Sequence, residues 1–349
     1  MSTSQSPISR LAACREAPAI VQALKDIGLA DNEIGTGLHF NRGSLGVLTL
    51  PGDLRRLSRL VREHAIDVVH AHRADEQWLA ALVLGLRRAR LVRTWHRDPR
   101  GVSRTLRRAL VRSAAGTVCV SRDHIASLET GRARIRYIPP TIDTNLFQPV
   151  SAATNGIRHI GQVARWKREK GRDRGQRFSL EVFRNLAADP EAANLGWSGA
   201  IIGRGELEGE LRAAAYKQLE LNPERVQFVN TEALTPQAFA AQLGALSVGL
   251  VFCVGSDGAS RPALEMLSCG VPLLVADVPG LAELAEDNAC VQVIRERDPQ
   301  VWAQALKKLL NDPARLATMS LAARKRAEER HSLFVRGRIL ARFYAECAG

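Results

Sequence analysis

SVGLVFCVGSDGASRPALEMLSCGVPLLVAD, residues 247–277, carries the plainest fold signal in the chain. SVGLVFCV and VPLLVAD are short apolar runs of strand length, and ALEMLSC between them reads as a helix. Ser260 is placed to cap that helix, and Pro262 is tolerated in its first turn. Gly270 suits the helix end and Pro272 opens the second apolar run. Strand, helix and strand in this order make one βαβ unit, the building block of a parallel sheet.

The same alternation runs outward from this unit. Upstream lie RHIGQVARW (strand), FSLEVFRNLAA (helix), WSGAIIG (strand), LEGELRAAAYKQL (helix), RVQFV (strand) and PQAFAAQLGAL (helix); downstream, a long helical run is expected from Pro299 to the end. The first half repeats the pattern. GVLTL (Gly46–Leu50) reads as a short strand, Pro51-Gly52 as a turn and Asp53 as an N-cap, ahead of a helix with Leu54, Leu57, Leu60 and Val61 at helical spacing. IDVVHAH, ARLVRTWH, AGTVCVS and RIRYIP read as strands, with helices in WLAALVLGL and TLRRALVRSA. TIDTNLFQPVSAATNG, residues 141–156, is polar and aperiodic and reads as a linker. Within the first 45 residues, REAPAIVQALKDIG suits a helix and EIGTGLHF a strand, with no apolar strand and Gly-rich turn ahead of them.

The expected fold class is therefore α/β, with two Rossmann-like domains facing a central cleft. Residues 1–148 form the first domain, 149–330 the second, and 331–349 a helical tail placed to cross back to the first. Ligands in such sheets sit beyond the carboxyl ends of the strands, where strand order reverses.

The 349 residues are 46% hydrophobic and 24% charged, the composition of an ordinary globular protein. The N-terminus lacks the apolar core of a signal peptide, and no run of about 18 apolar residues suggests a membrane span. Six scattered cysteines without a Cys-x-x-Cys pair argue against a zinc or redox motif and suit a reducing cytoplasm. The net charge of +13 favours an anionic partner: nucleic acid, a membrane surface or a phosphorylated substrate. Broad use of arginine in the genome explains the excess equally well. No P-loop is present, GRGELEG does not fit the dinucleotide fingerprint, and no nucleic-acid module is recognisable, so no nucleic acid is expected. The helix between Ser103 and Ser113 carries Arg104, Arg107, Arg108 and Arg112, with Leu106, Ala109 and Leu110 as its expected core stripe. Such a helix suits an anionic membrane face or simply a solvated surface.

Several residues can do chemistry. Backbone amides of Gly258, Ala259 and Ser260 point out of a helix N-terminus and suit a phosphate or sugar hydroxyls. Glu265, about one turn inside that helix, can accept hydrogen bonds from a ribose diol, while Asp257 on the loop faces the other end of an elongated ligand. The competing reading is a turn aspartate and an exposed helix glutamate. Arg165 and Lys170, between a strand and a helix, can clamp a diphosphate and offset charge growing on a leaving group. His70 and His72 are read as facing opposite sides of their strand, which disfavours a shared metal. His96 ends the next strand, and Arg73 and Asp75 follow His72 where they can touch a second substrate.

These segments resemble the glycosyltransferases of family 4, which have the GT-B fold. VARWKREKG, IIGRG, the RVQF strand and DGASRPALEMLSCGVPLLVADVPGLAEL match the nucleotide-sugar domain in order. DVVHAH, LVRTWH, TVCVS and IPPTIDTNLFQP are similar to the acceptor domain, and the resemblance spans roughly residues 45–330. It implies that Arg165 and Lys170 bind the donor diphosphate and Glu265 the ribose, with Asp257 on the transferred sugar. Gly258, Ala259, Ser260 and Gly203 complete the donor set, and His96, with His72 and Arg73, lines the acceptor side. It further implies a retaining reaction without a metal or other cofactor. The donor is a nucleotide-diphosphate sugar and the acceptor a glycolipid or lipopolysaccharide-type glycan, at the inner, cytoplasmic face of a membrane. Three departures stand out: Asp at 257 in place of Glu, Pro140-Thr141 in place of Asn-Gly, and no recognisable N-terminal Gly-rich turn. They leave open a catalytically impaired protein that binds nucleotide sugars without turnover.

Overall fold

The computed structural model describes residues 11–13, 46–72, 74–84, 89–96, 99–128, 134–150, 157–168, 173–253 and 260–348. The chain forms two units: Met1–Thr141 with Ser256–Ala259 and Leu333–Gly349, and Ile142–Gly255 with Ser260–Ser332.

The first unit holds a five-stranded parallel sheet in the order β1 (Leu11–Ala13), β2 (Val68–Ala71), β3 (Arg90–Trp95), β4 (Gly116–Cys119), β5 (Ile135–Tyr137). The helices α1 (Gly46–Glu63), α2 (Ala74–Leu84), α3 (Arg104–Arg112) and α4 (Asp123–Leu128) connect the strands. For parallel neighbours in sequential order, the usual right-handed crossover places the connecting helices on one face. Leu57, Val61, Leu79 and Val83 pack there on Val69, Ala71 and Leu91. Val68, Val92 and Val118 point the other way, onto Leu340, Phe343 and Tyr344 of the C-terminal helix, Leu333–Ala348.

Three sequence expectations change in this unit. GVLTL is helical: α1 begins at Gly46 and runs through Pro51 to Glu63. Pro51 is exposed and lies in the second turn, where it removes one intrahelical hydrogen bond, while Leu57 and Val61 bury onto the sheet. The edge strand is instead LAA, paired residue for residue with Val68–His70. In α3, Leu110 and Val111 are buried, whereas Leu106 is 43% exposed and Ala109 is also exposed. The inward stripe is 107, 110 and 111, fixed by the Arg107 guanidinium donating to the Pro99 carbonyl at 2.9 Å. The segments REAPAIVQALKDIG and EIGTGLHF lie outside the described residues.

The second unit holds a six-stranded parallel sheet. Its strands are β6 (Arg158–Val163), β7 (Trp197–Gly203), β8 (Val226–Asn230), β9 (Val248–Val251), β10 (Leu273–Ala276) and β11 (Val291–Ile294). They stand in the order β11-β10-β9-β6-β7-β8, so the chain leaves β6 towards β7 and leaves β9 towards β10. Strand order reverses between β6 and β9, which are hydrogen-bonded neighbours. The helices α5 (Gln176–Ala188), α6 (Pro190–Ala193), α7 (Glu208–Ala213), α8 (Pro236–Gly244), α9 (Arg261–Ser268), α10 (Pro299–Leu310) and α11 (Pro313–Arg326) cover both faces. Two apolar cores result, one around Phe183, Leu250 and Trp302, the other around Leu264, Leu273 and Val275.

The expected long terminal helix is broken twice. Asp312 caps α11, with Pro313 as its first residue, and Ser332 is extended before the C-terminal helix. Part of the expected linker is also packed. Ile142 and Phe147 are buried in the second core, and the Arg324 guanidinium donates to the carbonyls of Thr144, Phe147 and Ser268 at 3.1, 2.8 and 2.7 Å.

Candidate active site

The switch point between β6 and β9 organises the second unit. The segment leaving β6 at Ala164 is annealed to the end of β7. Ala164 N–H donates to the Ile202 carbonyl (3.1 Å) and Trp166 N–H to that of Arg204 (2.8 Å), while the Trp166 carbonyl accepts from Leu207 N–H (3.0 Å). The Trp166 ring is fully buried beside Phe228. Gly203 and Gly205 allow this close approach. A Cβ on Gly203 would lie 1.9 Å from the Ala164 carbonyl oxygen, and one on Gly205, whose φ is +141°, would lie 2.4 Å from that of Trp166. The IIGRG glycines thus shape the β6 loop.

Gln176, the first residue of α5, is fully buried and joins the two stems of that loop. Its Nε2 donates to the Arg165 carbonyl (2.9 Å), and its Oε1 accepts from Arg174 N–H (2.7 Å). The Arg174 carbonyl in turn accepts from Gln162 Nε2 at 3.4 Å, and the Cys253 thiol lies 3.7 Å from it. The loop is therefore fixed at both ends, with Arg165 exposed on it. Arg168 is neutralised by Glu210 at 2.6 Å, but among the described residues no carboxylate pairs with Arg165. An exposed, unpaired guanidinium on an anchored stem is suited to an anionic ligand.

On the other side of the switch point, α9 starts from Ser260, whose hydroxyl accepts from Ala263 N–H at 3.4 Å. Glu265 is buried, so it is not the exposed helix position considered from sequence. Burial pushes its carboxyl above the ordinary range, and Arg261 partly offsets this through a 3.2 Å contact. The Arg261 side chain is 76% exposed, so water screens the pair. A desolvated carboxylate one turn inside a helix, with such a partner, can gain much from two hydroxyl donors.

In the first unit the histidines gather at the carboxyl ends of β2 and β3. His70 is fully buried, with Nδ1 2.6 Å from the Tyr344 hydroxyl and Nε2 2.8 Å from Thr94 Oγ1. His72 Nδ1 and His96 Nε2 are 2.9 Å apart, so one ring donates a proton to the other. The ring centroids of His70 and His72 are 4.4 Å apart, which corrects the reading that they face opposite sides. Residues i and i+2 of a strand share a face, and it is Ala71 that points away.

Arg165, Gly203, Ser260 and Glu265 thus fall around one switch point in the second unit, while His72 and His96 touch each other in the first. Arg73, Lys170, Asp257, Gly258 and Ala259 lie outside the described residues. Sequence reasoning passed over Gln176 and Trp166, whose roles depend on loop ends that only the fold brings together, and over Tyr344 and Thr94 beneath His70. Among the described residues no group of three His, Cys, Asp or Glu side chains is placed to hold a metal ion, and no helix is long and apolar enough to cross a membrane.

Known proteins resemble this chain in sequence and in architecture. The family profile described as Glycosyltransferase Family 4 matches residues 16–146, and that of Glycosyl transferases group 1 matches residues 157–312. A D-inositol 3-phosphate glycosyltransferase of Thermobispora bispora is 26% identical over 316 residues, covering 80% of this chain and 72% of the relative. A GDP-mannose-dependent alpha-(1-6)-phosphatidylinositol monomannoside mannosyltransferase of Mycolicibacterium smegmatis is 26% identical over 321 residues, covering 84% and 80%. Among solved structures, Anabaena HepE in complex with UDP and glucose superposes with a TM-score of 0.66 at 16% identity, covering 96% of this chain and 99% of that one.

Proposed function

Since the chain belongs to the family 4 glycosyltransferases and has the GT-B fold, we propose that it is a retaining, metal-independent transferase that uses a nucleoside-diphosphate sugar as donor. The observation that carries this reading is the buried, charge-starved Glu265 across the switch point from the unpaired Arg165. Glu265 accepts the ribose hydroxyls. Arg165 and Lys170 neutralise the diphosphate, and the amides of Gly258, Ala259 and Ser260 assist at the helix tip. Asp257 contacts the transferred sugar. The bond from the anomeric carbon to the phosphate oxygen breaks as the sugar becomes oxocarbenium-like. The acceptor hydroxyl bonds to that carbon on the same face, and its proton passes to the departing phosphate oxygen. No protein nucleophile is invoked. His96, held by His72, lines the acceptor side together with Arg73.

The acceptor in this reading is a glycolipid or lipopolysaccharide-type glycan at the cytoplasmic membrane face, approached through the basic helix Arg104–Arg112. The mycobacterial mannosyltransferase, named for a phosphatidylinositol monomannoside acceptor, supports a lipid-linked substrate. The inositol 3-phosphate relative supports a second reading, a soluble phosphorylated polyol as acceptor.

The test is a thermal-shift screen of the purified protein with UDP, GDP, ADP, TDP and CMP, followed by a donor-hydrolysis assay. One nucleoside diphosphate is expected to raise Tm by mass action, and its sugar conjugate to release sugar slowly. If none of the five moves Tm, the donor site does not exist. If one binds but sugar is never released, the chain is a binding protein without turnover.

A further inference from the structure

The helices α1, α2 and α3 lie side by side on one face of the first sheet, and Gln77 of α2 ties the second to the third by donating to Ser113 Oγ at 2.9 Å. Their solvent sides differ in a regular way. On α1, Arg55, Arg56, Arg59 and Arg62 are exposed, and on α3 so are Arg104, Arg108 and Arg112. Among the described residues no carboxylate pairs with any of these seven side chains. Some arginines elsewhere find acids, as Arg136 does with Glu346, Arg168 with Glu210 and Arg330 with Glu286, but among the described residues no other helix face of the first unit gathers such a row without one. Between the two cationic rows, α2 presents Trp78 at 40% and Leu82 at 63% exposure, one helical turn apart. The other four tryptophans are no more than 3% exposed.

We infer that this three-helix face is a docking surface for an anionic lipid bilayer, with Trp78 and Leu82 as the inserted wedge and the α1 and α3 arginines on lipid phosphates. Charge complementarity selects an anionic partner, and the apolar wedge selects among such partners. Indole and leucine side chains flanked by arginines match the boundary between headgroups and acyl chains. A nucleic acid satisfies the arginines but gives Leu82 nothing apolar to cover it. The inference deepens the membrane-facing part of the function proposed above by identifying the partner and the inserting residues, and it is tested without any sugar transfer.

The experiment uses the full chain and vesicles of phosphatidylcholine with or without phosphatidylglycerol. Because Trp78 is the exposed indole, its emission reports insertion. Wild type is expected to sediment with the phosphatidylglycerol vesicles, to shift its emission to the blue, and to be quenched by brominated acyl chains. Each arginine near an anionic surface adds about fivefold to binding, so R104S/R108S/R112S is expected to bind roughly 100-fold more weakly. W78S/L82S is expected to bind weakly and to lose the blue shift while keeping its wild-type circular dichroism melt. Retention unaffected by both variant sets overturns the inference, as does binding to duplex DNA with no vesicle-induced change at Trp78. A chain that inserts into vesicles but binds no nucleotide refutes the transferase reading alone. One that binds nucleotide but ignores vesicles refutes this inference alone.

Discussion

Replacing Glu265 with Gln separates the cost of that carboxylate from its use. The substitution removes the charge at nearly constant shape. In the folded chain, burial raises the Glu265 pKa above its ordinary value, so the native state binds the proton more tightly than the unfolded state. For a raised pKa, the stabilising effect is complete below the unfolded value and is lost as pH climbs through the folded one. Wherever Glu265 is ionised, the wild type carries a buried charge offset mainly by Arg261, an exposed partner worth about 0–1 kcal/mol. The apo E265Q protein is expected to melt at or above wild type at pH 7 and to lose that advantage in acid. Donor binding moves the other way. Hydrogen bonds to a charged group contribute about 1.5–3 kcal/mol against about 0.5–1.5 for neutral ones. Exchanging a carboxylate for an amide under a diol thus weakens nucleotide binding by roughly 10- to 100-fold. At a ligand concentration of about 100 Kd, the wild-type stabilisation of about 2.7 kcal/mol falls to about 0.9 when Kd rises roughly 30-fold. The assay is a matrix of thermal melts over pH, with and without the nucleoside diphosphate that wild type prefers. If E265Q melts lower than wild type at pH 7 and keeps the full nucleotide shift, Glu265 is a structural ion-pair residue and the donor site is misplaced.

Two further substitutions probe the loop that carries Arg165. Gln176→Ala cuts the link between its two stems, and is expected to cost about 1–3 kcal/mol of stability. Under the proposed donor site, where the loop meets the phosphates, calorimetry should show a larger loss of affinity for the nucleoside diphosphate than for the bare nucleoside; equal losses would mean that Gln176 acts on the fold as a whole. Gly203→Ala forces a methyl against the Ala164 carbonyl oxygen, 1.9 Å from where it must sit. Urea denaturation is expected to show a loss of about 1–3 kcal/mol, and an unchanged midpoint would mean that the loop yields freely.

Legibility in the sequence depends on how far each residue's role is set by its neighbours along the chain. The parallel strands announce themselves because strands buried on both faces are short apolar runs, and α9, α10 and α11 begin at Ser260, Asp298 and Asp312, ordinary cap residues. GVLTL misleads because branched residues followed by Pro-Gly look like a strand and a turn, whereas the helix there is decided further on, where Leu57 and Val61 meet the sheet. LAA is too short to show any period, and only its pairing with Val68–His70 makes it a strand. Gln176 looks like any solvent-facing residue at a helix start, since nothing local reveals that two loop ends converge on its amide. Glu265 is the instructive case. All of Ala263, Leu264, Met266, Leu267 and Ser268 are buried with it, so α9 is enclosed over this stretch, with no polar face to receive an acid. A surface helix keeps a polar side at the 3.6-residue period; a helix without one is a core helix. In RPALEMLSCGV, the single carboxylate is buried together with its neighbours, which the sequence reading left open. Burying an acid costs desolvation free energy, and Arg261, mostly in water, offsets little of it, which is why the proposed function seats the ribose hydroxyls on Glu265.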